Sequence, residues 1–306
     1  METIDYEGLT LRKWTIGASS FLACPERGAR LMNWHLRLAD GSFRDVIHWP
    51  EDADYSQLAK VRGGNPILFP FAGATFDQGE IGFWRDPEGE RRAMPQHGFA
   101  RQGTFAVDEL RTDGFSAHFV ADAAAQEGYP FKYTFTVEYR FAELHLDVHL
   151  TLKNEDKRAI PWSSGHHFYF TLPWHGLGQR EDYRIDIPAK KAFRRLDNGQ
   201  LDEIKPAPKE TAFDAPELIE RLHCKLKSPE SVFGPKSGEE DIRVTFLPPG
   251  QPPSPWNTIV TWTESDESPF YCVEPWMGPP NAAEHQHGLH WVGPGESEVF
   301  SVRISL

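Results

Sequence analysis

The stretch that decides the fold runs Phe131-Lys132-Tyr133-Thr134-Phe135-Thr136-Val137-Glu138-Tyr139 and resumes as Leu144-His145-Leu146-Asp147-Val148-His149-Leu150-Thr151-Leu152. Successive side chains on a β-strand point to opposite faces, so this alternation lines one face of each run with large apolar groups. A short break at Phe141-Ala142-Glu143 separates the runs. They predict an antiparallel hairpin covering one side of a core and ending at the turn Lys153-Asn154-Glu155-Asp156. A third, aromatic-rich strand is expected over residues 161–172. Shorter β-like pieces recur at 105–107, 116–120, 183–187, 242–246, 257–262 and 299–306. Turn clusters separate them, among them Asp113-Gly114, Asn198-Gly199 and Pro248-Pro249-Gly250. The best helix candidate, residues 216–222, is short. The expectation is an all-β chain with few short helices, folded as one large antiparallel β-sandwich domain over residues 1–306.

Composition agrees with that class. Glycine and proline supply 25 residues each, beside 21 Phe, 10 Trp and 8 Tyr, a mixture of turn formers and strand formers that long helices would not tolerate. With 45 acidic against 32 basic side chains, the net charge of −13 argues against nucleic acid as a partner, because phosphate neutralisation needs a surplus of Lys and Arg. No run approaches the ~20 apolar residues of a membrane helix, and the start Met1-Glu2-Thr3-Ile4-Asp5 lacks the basic and apolar segments of a signal peptide. Cys24, Cys224 and Cys272 are odd in number and far apart, which suggests neither a disulfide framework nor a paired zinc motif. A cytoplasmic protein with no membrane partner is expected.

Four segments gather polar residues between apolar or turn-forming flanks. In Arg62-Gly63-Gly64-Asn65-Pro66, an arginine enters a Gly-Gly turn whose backbone could approach a ligand closely, and its planar fork suits vicinal hydroxyls or a phosphate. Taken alone it reads more readily as an exposed arginine before an ordinary turn. In Gln96-His97-Gly98-Phe99-Ala100-Arg101 a histidine and an arginine flank another turn. In Ser164-Gly165-His166-His167-Phe168-Tyr169-Phe170 the two histidines must face opposite sides of a strand, so one can meet a ligand while the other packs. In Val273-Glu274-Pro275-Trp276 a carboxylate ends an apolar run beside an indole suited to stacking on a sugar or to a core.

Taken in order, these segments resemble the aldose 1-epimerase (galactose mutarotase) superfamily, closest in motif to its hexose-6-phosphate mutarotase branch. The Asn154 turn and the Pro294-Gly295-Glu296-Ser297 turn also match, so the likeness runs from about Gly28 to the C-terminus. The resemblance implies a galactose mutarotase-like sandwich with an open sugar cleft and no cofactor or metal. It implies catalytic roles for Glu274, His167 and His97: Glu274 takes the proton of the C1 hydroxyl, His167 protonates the ring oxygen, and His97 hydrogen-bonds near that oxygen. It also implies that Arg62 and Arg101 hold the phosphate of a sugar phosphate. Phe99 stands where galactose-type members carry a second glycine, which favours the phosphosugar or broad-specificity branch. Glu220 stands where those families tend to place an aspartate and receives no role. The chemistry independently wants one base and one acid, since ring opening moves a proton off O1 and another onto O5. The implied partner is a small-molecule sugar or sugar phosphate. Two other readings compete: a non-catalytic carbohydrate-binding sandwich, and a metal-dependent cupin-like enzyme suggested by His285-Gln286-His287. The latter lacks a glutamate four or five residues after His287.

Overall fold

The structure, a computed structural model, describes every residue except 175–177, 239 and 249–251. The hairpin is present: Tyr133–Ala142 pairs antiparallel with His145–Asn154, with Tyr139 opposite Val148. Phe135, Val137, Tyr139, Leu146, Val148, Leu150 and Leu152 are all buried, as the alternation requires. The break differs from expectation. Phe141 and Ala142 belong to the first strand, and Leu144 sits exposed at the hairpin tip. The register pairs Ala142 with His145, so only Glu143 and Leu144 remain to reverse the chain.

Among the described residues this hairpin lies inside a nine-stranded antiparallel sheet. His145–Asn154 also pairs with the last strand, Ser297–Ser305, which in turn pairs with Ile242–Phe246. Thr104–Arg111 and Gly114–Val120 extend the other side. The second sheet begins with Glu2–Tyr6, Leu9–Ile16, Ser19–Cys24, Arg30–Arg37 and Phe43–Ile47. It continues through Tyr169–Thr171, Phe270–Trp276, Thr258–Trp262, Arg221–Leu226 and Ala189–Arg195. The sheets meet face to face through aromatic pairs, Phe21 stacking on Phe141 at 4.4 Å and Phe170 meeting Phe233 at 4.9 Å. This is the antiparallel β-sandwich that the period-two pattern predicts.

Two local expectations are corrected. The aromatic-rich third strand is broken into Ile160–Trp162, Gly165–His166 and Tyr169–Thr171. At the second break, the His167 N–H leaves the ladder for the Asn65 side chain and the Pro66 carbonyl. The helix expected over 216–222 is a single 3₁₀ turn, Pro216–Leu218; Glu220 takes a left-handed backbone (φ 51°), and the strand Arg221–Leu226 begins at once. The turn at Pro248-Pro249-Gly250 falls largely outside the described residues. Cys24, Cys224 and Cys272 are buried free thiols. No helix of the described residues is long and apolar enough to cross a membrane.

One buried side chain ties the two sheets to the segment between them. Asn65 is fully buried; its Nδ2 donates to Tyr139 Oη at 2.8 Å on the nine-stranded sheet and lies 3.1 Å from His166 Nδ1. Its Oδ1 accepts the His167 N–H at 3.1 Å, and its own N–H donates to the Leu31 carbonyl at 2.8 Å. Asn65→Ala leaves the Tyr139 hydroxyl and His166 Nδ1 without this partner in a dry interior, where each orphaned group costs roughly 1–3 kcal/mol. Urea denaturation is expected to show a stability loss of about 2–4 kcal/mol, and a loss below about 1 kcal/mol would show that the tie is not structural.

Candidate active site

Phe270–Trp276 is buried along its whole length, so a carboxylate within it is deprived of water by the fold itself. Glu274 pairs across to Val260 on Thr258–Trp262 and is 1% exposed. Alternation along the strand puts Cys272, Glu274 and Trp276 on one face. Opposite Trp276 lies Gly165, where a Cβ would fall 2.6 Å from the indole ring. Glycine there lets the histidine segment lie close against the strand. The Trp276 indole N–H then donates to the His166 carbonyl at 3.1 Å.

The two histidines separate as strand geometry demands. His166 points between the sheets, its ring stacked near Phe168 and Phe300. His167 points the other way, ring against ring with Tyr169 at 4.7 Å, and its Nε2 lies 3.6 Å from Glu274 Oε2. That separation is too long for a hydrogen bond, so each group keeps capacity for a ligand. Glu274 Oε2 and His167 Nδ1 have no hydrogen-bond partner among the described residues. Burial pushes Glu274 well above the usual carboxylate range, the Trp276 indole pulling weakly the other way. Burial likewise drives His167 well below 6.5, reinforced by His97, Arg30, Arg101 and Arg62. Both shifts favour the neutral form because charge is poorly solvated there.

His97 approaches from a loop, with a left-handed backbone (φ 67°) that histidine adopts at some cost. Its main-chain N–H donates to the Gly73 carbonyl at 2.7 Å, and the Gly73 N–H donates back to His97 Nδ1 at 3.1 Å. An accepting Nδ1 on a neutral ring puts the proton on Nε2. Burial, with help from Arg101 and Arg62, lowers this histidine to about 3, so the ring is a neutral Nε2–H donor. Its ring centre lies 5.4 Å from that of His167 and 5.8 Å from that of Trp276.

All five residues singled out from the sequence, Glu274, His167, His97, Arg62 and Arg101, line one cavity of about 490 Å³, a volume suited to a small ligand. Two other cavities, of about 580 and 590 Å³, contain none of the acid–base groups. Arg62 reaches the cavity from a half-exposed position, its guanidinium over the Trp262 ring and 3.4 Å from Glu264. Desolvation lowers Arg62, but Tyr169 and Glu264 more than offset this. Arg101 makes no carboxylate pair among the described residues; burial lowers it, and Arg62 repels it. Two guanidiniums thus face one cavity, Arg62 beside Glu264 and Arg101 with no carboxylate pair among the described residues.

Of the other residues at the site, Trp276 stands out in the sequence and most do not. Gly63 and Gly64 are buried and do not line the cavity, contrary to the expectation that they admit a ligand. Gly64 (φ 70°) is needed because a Cβ would fall on the Leu31 carbonyl. Arg30, wholly buried, donates to the Leu58, Val61 and Gly63 carbonyls and so fixes the segment carrying Arg62. Arg194, Arg195, Tyr169, Trp262 and Trp276 also line the cavity, as does Glu220, whose left-handed backbone follows the 3₁₀ turn. The histidine-rich loop is occupied locally: His285 uses both ring nitrogens, with the Pro280 carbonyl and the His287 N–H, while His287 stacks on Trp256. Those rings do not present the paired ligands of a cupin site.

Comparison with known proteins places the chain and its fold. The aldose 1-epimerase family matches residues 12–245. The chain is 22% identical over 244 residues to Protein LacX of Lactococcus lactis subsp. lactis, covering 75% of this chain and 77% of that one. Among solved structures, Slr1438 from Synechocystis sp. PCC 6803 is 22% identical and covers 100% of this chain and 99% of its own, with a TM-score of 0.77. A galactose mutarotase related enzyme from Lactobacillus acidophilus reaches the same TM-score at 17% identity, covering 96% of each chain. A match across most of the sequence, on a sandwich that these structures share, shows that the chain belongs to the aldose 1-epimerase family.

Proposed function

We propose that the protein is a mutarotase that interconverts the α and β anomers of a hexose or hexose 6-phosphate by acid–base ring opening, with Glu274 as base and His167 as acid. The observation that carries this is the buried carboxyl–imidazole pair, 3.6 Å apart, on the wall of a cavity that two arginines also face. The family match ends before Glu274, so its role rests on the motif order and on this geometry.

In the reaction, the C1 hydroxyl gives its proton to Glu274 as His167 Nε2–H protonates the ring oxygen. The C1–O5 bond breaks, and an open-chain aldehyde results. Rotation about C1–C2 followed by reversal gives either anomer. Protons balance, because an ionised glutamate with imidazolium becomes a glutamic acid with neutral imidazole. Burial favours that second state, so the site's dryness stabilises the enzyme's protonation in the open-chain complex relative to the charged pair. His97 Nε2–H stands as a fixed neutral donor for the ring oxygen or a neighbouring hydroxyl. Arg62 and Arg101 would take the phosphate of a phosphorylated sugar, and no cofactor is required.

The decay of optical rotation of fresh α-D-glucose and α-D-glucose 6-phosphate tests the reading; sugar binding with no acceleration would leave only the non-catalytic alternative. Glu274→Gln is expected to lower kcat by ~10²–10⁴ with the fold intact, and a variant within about threefold of the parent would remove Glu274 as the base. Arg101→Ala is expected to raise KM for the phosphosugar by ~10–100-fold, the worth of a charged hydrogen bond, and equal losses on free and phosphorylated sugar would argue against a phosphate site. Finally, the pair must hold one proton. A second proton arrives only below His167's lowered value, and the first leaves only above Glu274's raised one. The kcat/KM profile should therefore stay level as pH falls through 6.5, where an ordinary histidine titrates. An acid limb centred near 6.5 would show a solvated pair.

A further inference from the structure

Ring opening uses a carboxylate and two imidazoles but has no use for a thiol, and Cys272 nevertheless lies beside the pair. It sits two residues before Glu274 on the buried strand, facing the same way. One donor atom each from His167, Cys272 and Glu274 lies within 4.8 Å of the others. We propose that these three residues form a binding site for a thiophilic divalent cation, zinc foremost, which occupies the acid–base pair and blocks it.

The donor set and its spacing select the ion. Zinc takes thiolate, imidazole and carboxylate at about 2.0–2.3 Å, which at the tetrahedral angle puts its ligand atoms roughly 3.3–3.8 Å apart. His167 Nε2 and Glu274 Oε2, at 3.6 Å, already meet that spacing. The Cys272 sulfur needs a shift of about 1 Å or less, within reach of a rotamer adjustment. Hard ions such as magnesium and calcium want oxygen ligands and gain nothing from the sulfur. Three protein ligands leave a fourth position, which here opens onto the cavity through the partly exposed His167. A thiolate and a carboxylate cancel the charge of the cation, so the occupied site is neutral in a dry interior. The Arg62 and Arg101 charges then face a unit with no net charge to repel. Glu274 Oε2, buried and without a hydrogen-bond partner among the described residues, gains one.

The site stands on geometry alone; only the inhibition it implies rests on the proposed roles of Glu274 and His167. Purified protein, stripped with EDTA, is titrated with Co²⁺ and Zn²⁺ in the absence of sugar. One ion per chain and a near-ultraviolet thiolate-to-cobalt charge-transfer band are expected. Cys272→Ser should abolish the band and weaken zinc at least about tenfold, whereas Cys224→Ser keeps both. X-ray absorption of the zinc-loaded parent protein, which needs no variant to fold, should show one sulfur among nitrogen and oxygen scatterers. Absence of the sulfur, or a band that survives Cys272→Ser, overturns the proposal. With active enzyme, zinc should stop mutarotation and EDTA restore it. Metal binding by a protein that shows no mutarotation would sink the functional reading and leave the site standing.

Discussion

The cleft depends on Asn65. A buried carboxamide has two N–H donors and an accepting oxygen, and here they are committed to Tyr139 in one sheet, to His166 and to the His167 main chain, while its own N–H reaches Leu31 in the other sheet. Removing any one partner leaves a polar atom in a dry interior, so the arrangement is held by the cost of breaking it more than by the strength of each bond. Arg30 extends the same logic. Its guanidinium is spent on three main-chain carbonyls, and burial lowers it only to about 10, so it remains charged at neutral pH. The segment bearing Arg62 is thus fixed from beneath by Arg30 and at its end by Asn65. The segments bearing Arg62 and His167 are set relative to one another by buried contacts to the main chain.

That rigidity allows a carboxyl and an imidazole to sit, largely buried, on the cavity wall without a conventional salt bridge. A buried ion pair offsets the desolvation of its two charges only through close, hydrogen-bonded contact. Glu274 and His167 are held just beyond that distance, and desolvation biases both toward neutrality. The resulting pair carries one mobile proton and little net charge. Such a state suits chemistry whose intermediate is a neutral aldehyde and which needs no strong nucleophile.

How much of this the sequence discloses follows from where the signal is local. The hairpin from Tyr133 to Asn154 is legible because alternation persists over ten residues in each strand and one face is fully buried. The five N-terminal strands are not, since Leu9–Ile16 buries only Leu11 and Trp14, and Arg30–Arg37 is buried at nearly every position, so neither shows clean alternation. The site divides in the same way. Glu274, His167, His97, Arg62 and Arg101 stand in compact motifs with distinctive neighbours. Arg30 and Asn65 act through contacts to residues far away in the chain, and Arg194, Arg195 and Glu220 reach the cavity only because Ala189–Arg195 and Arg221–Leu226 pair at its rim. The Cys272 neighbourhood is illegible for a related reason: its histidine comes from another segment, so no ligand spacing exists to be read.

The same distinction of scale governs charge. A net charge of −13 describes the chain as a whole, yet the cavity wall carries Arg62, Arg101, Arg194 and Arg195. Two of these, Arg101 and Arg62, also help to depress His167, after burial and the neighbouring His97 and Arg30. Coulomb repulsion of that kind is conditional, because an anion seated on a guanidinium cancels its field nearby. In the proposed reaction, a phosphate docking on Arg62 and Arg101 would therefore lift part of the depression of His167 and favour the imidazolium that must protonate O5. A free hexose brings no such charge and meets a histidine still held in its neutral form. In that proposed reaction the two arginines bear on catalysis as well as affinity, because the group that anchors the substrate would also alter the proton balance of the residue that acts on it.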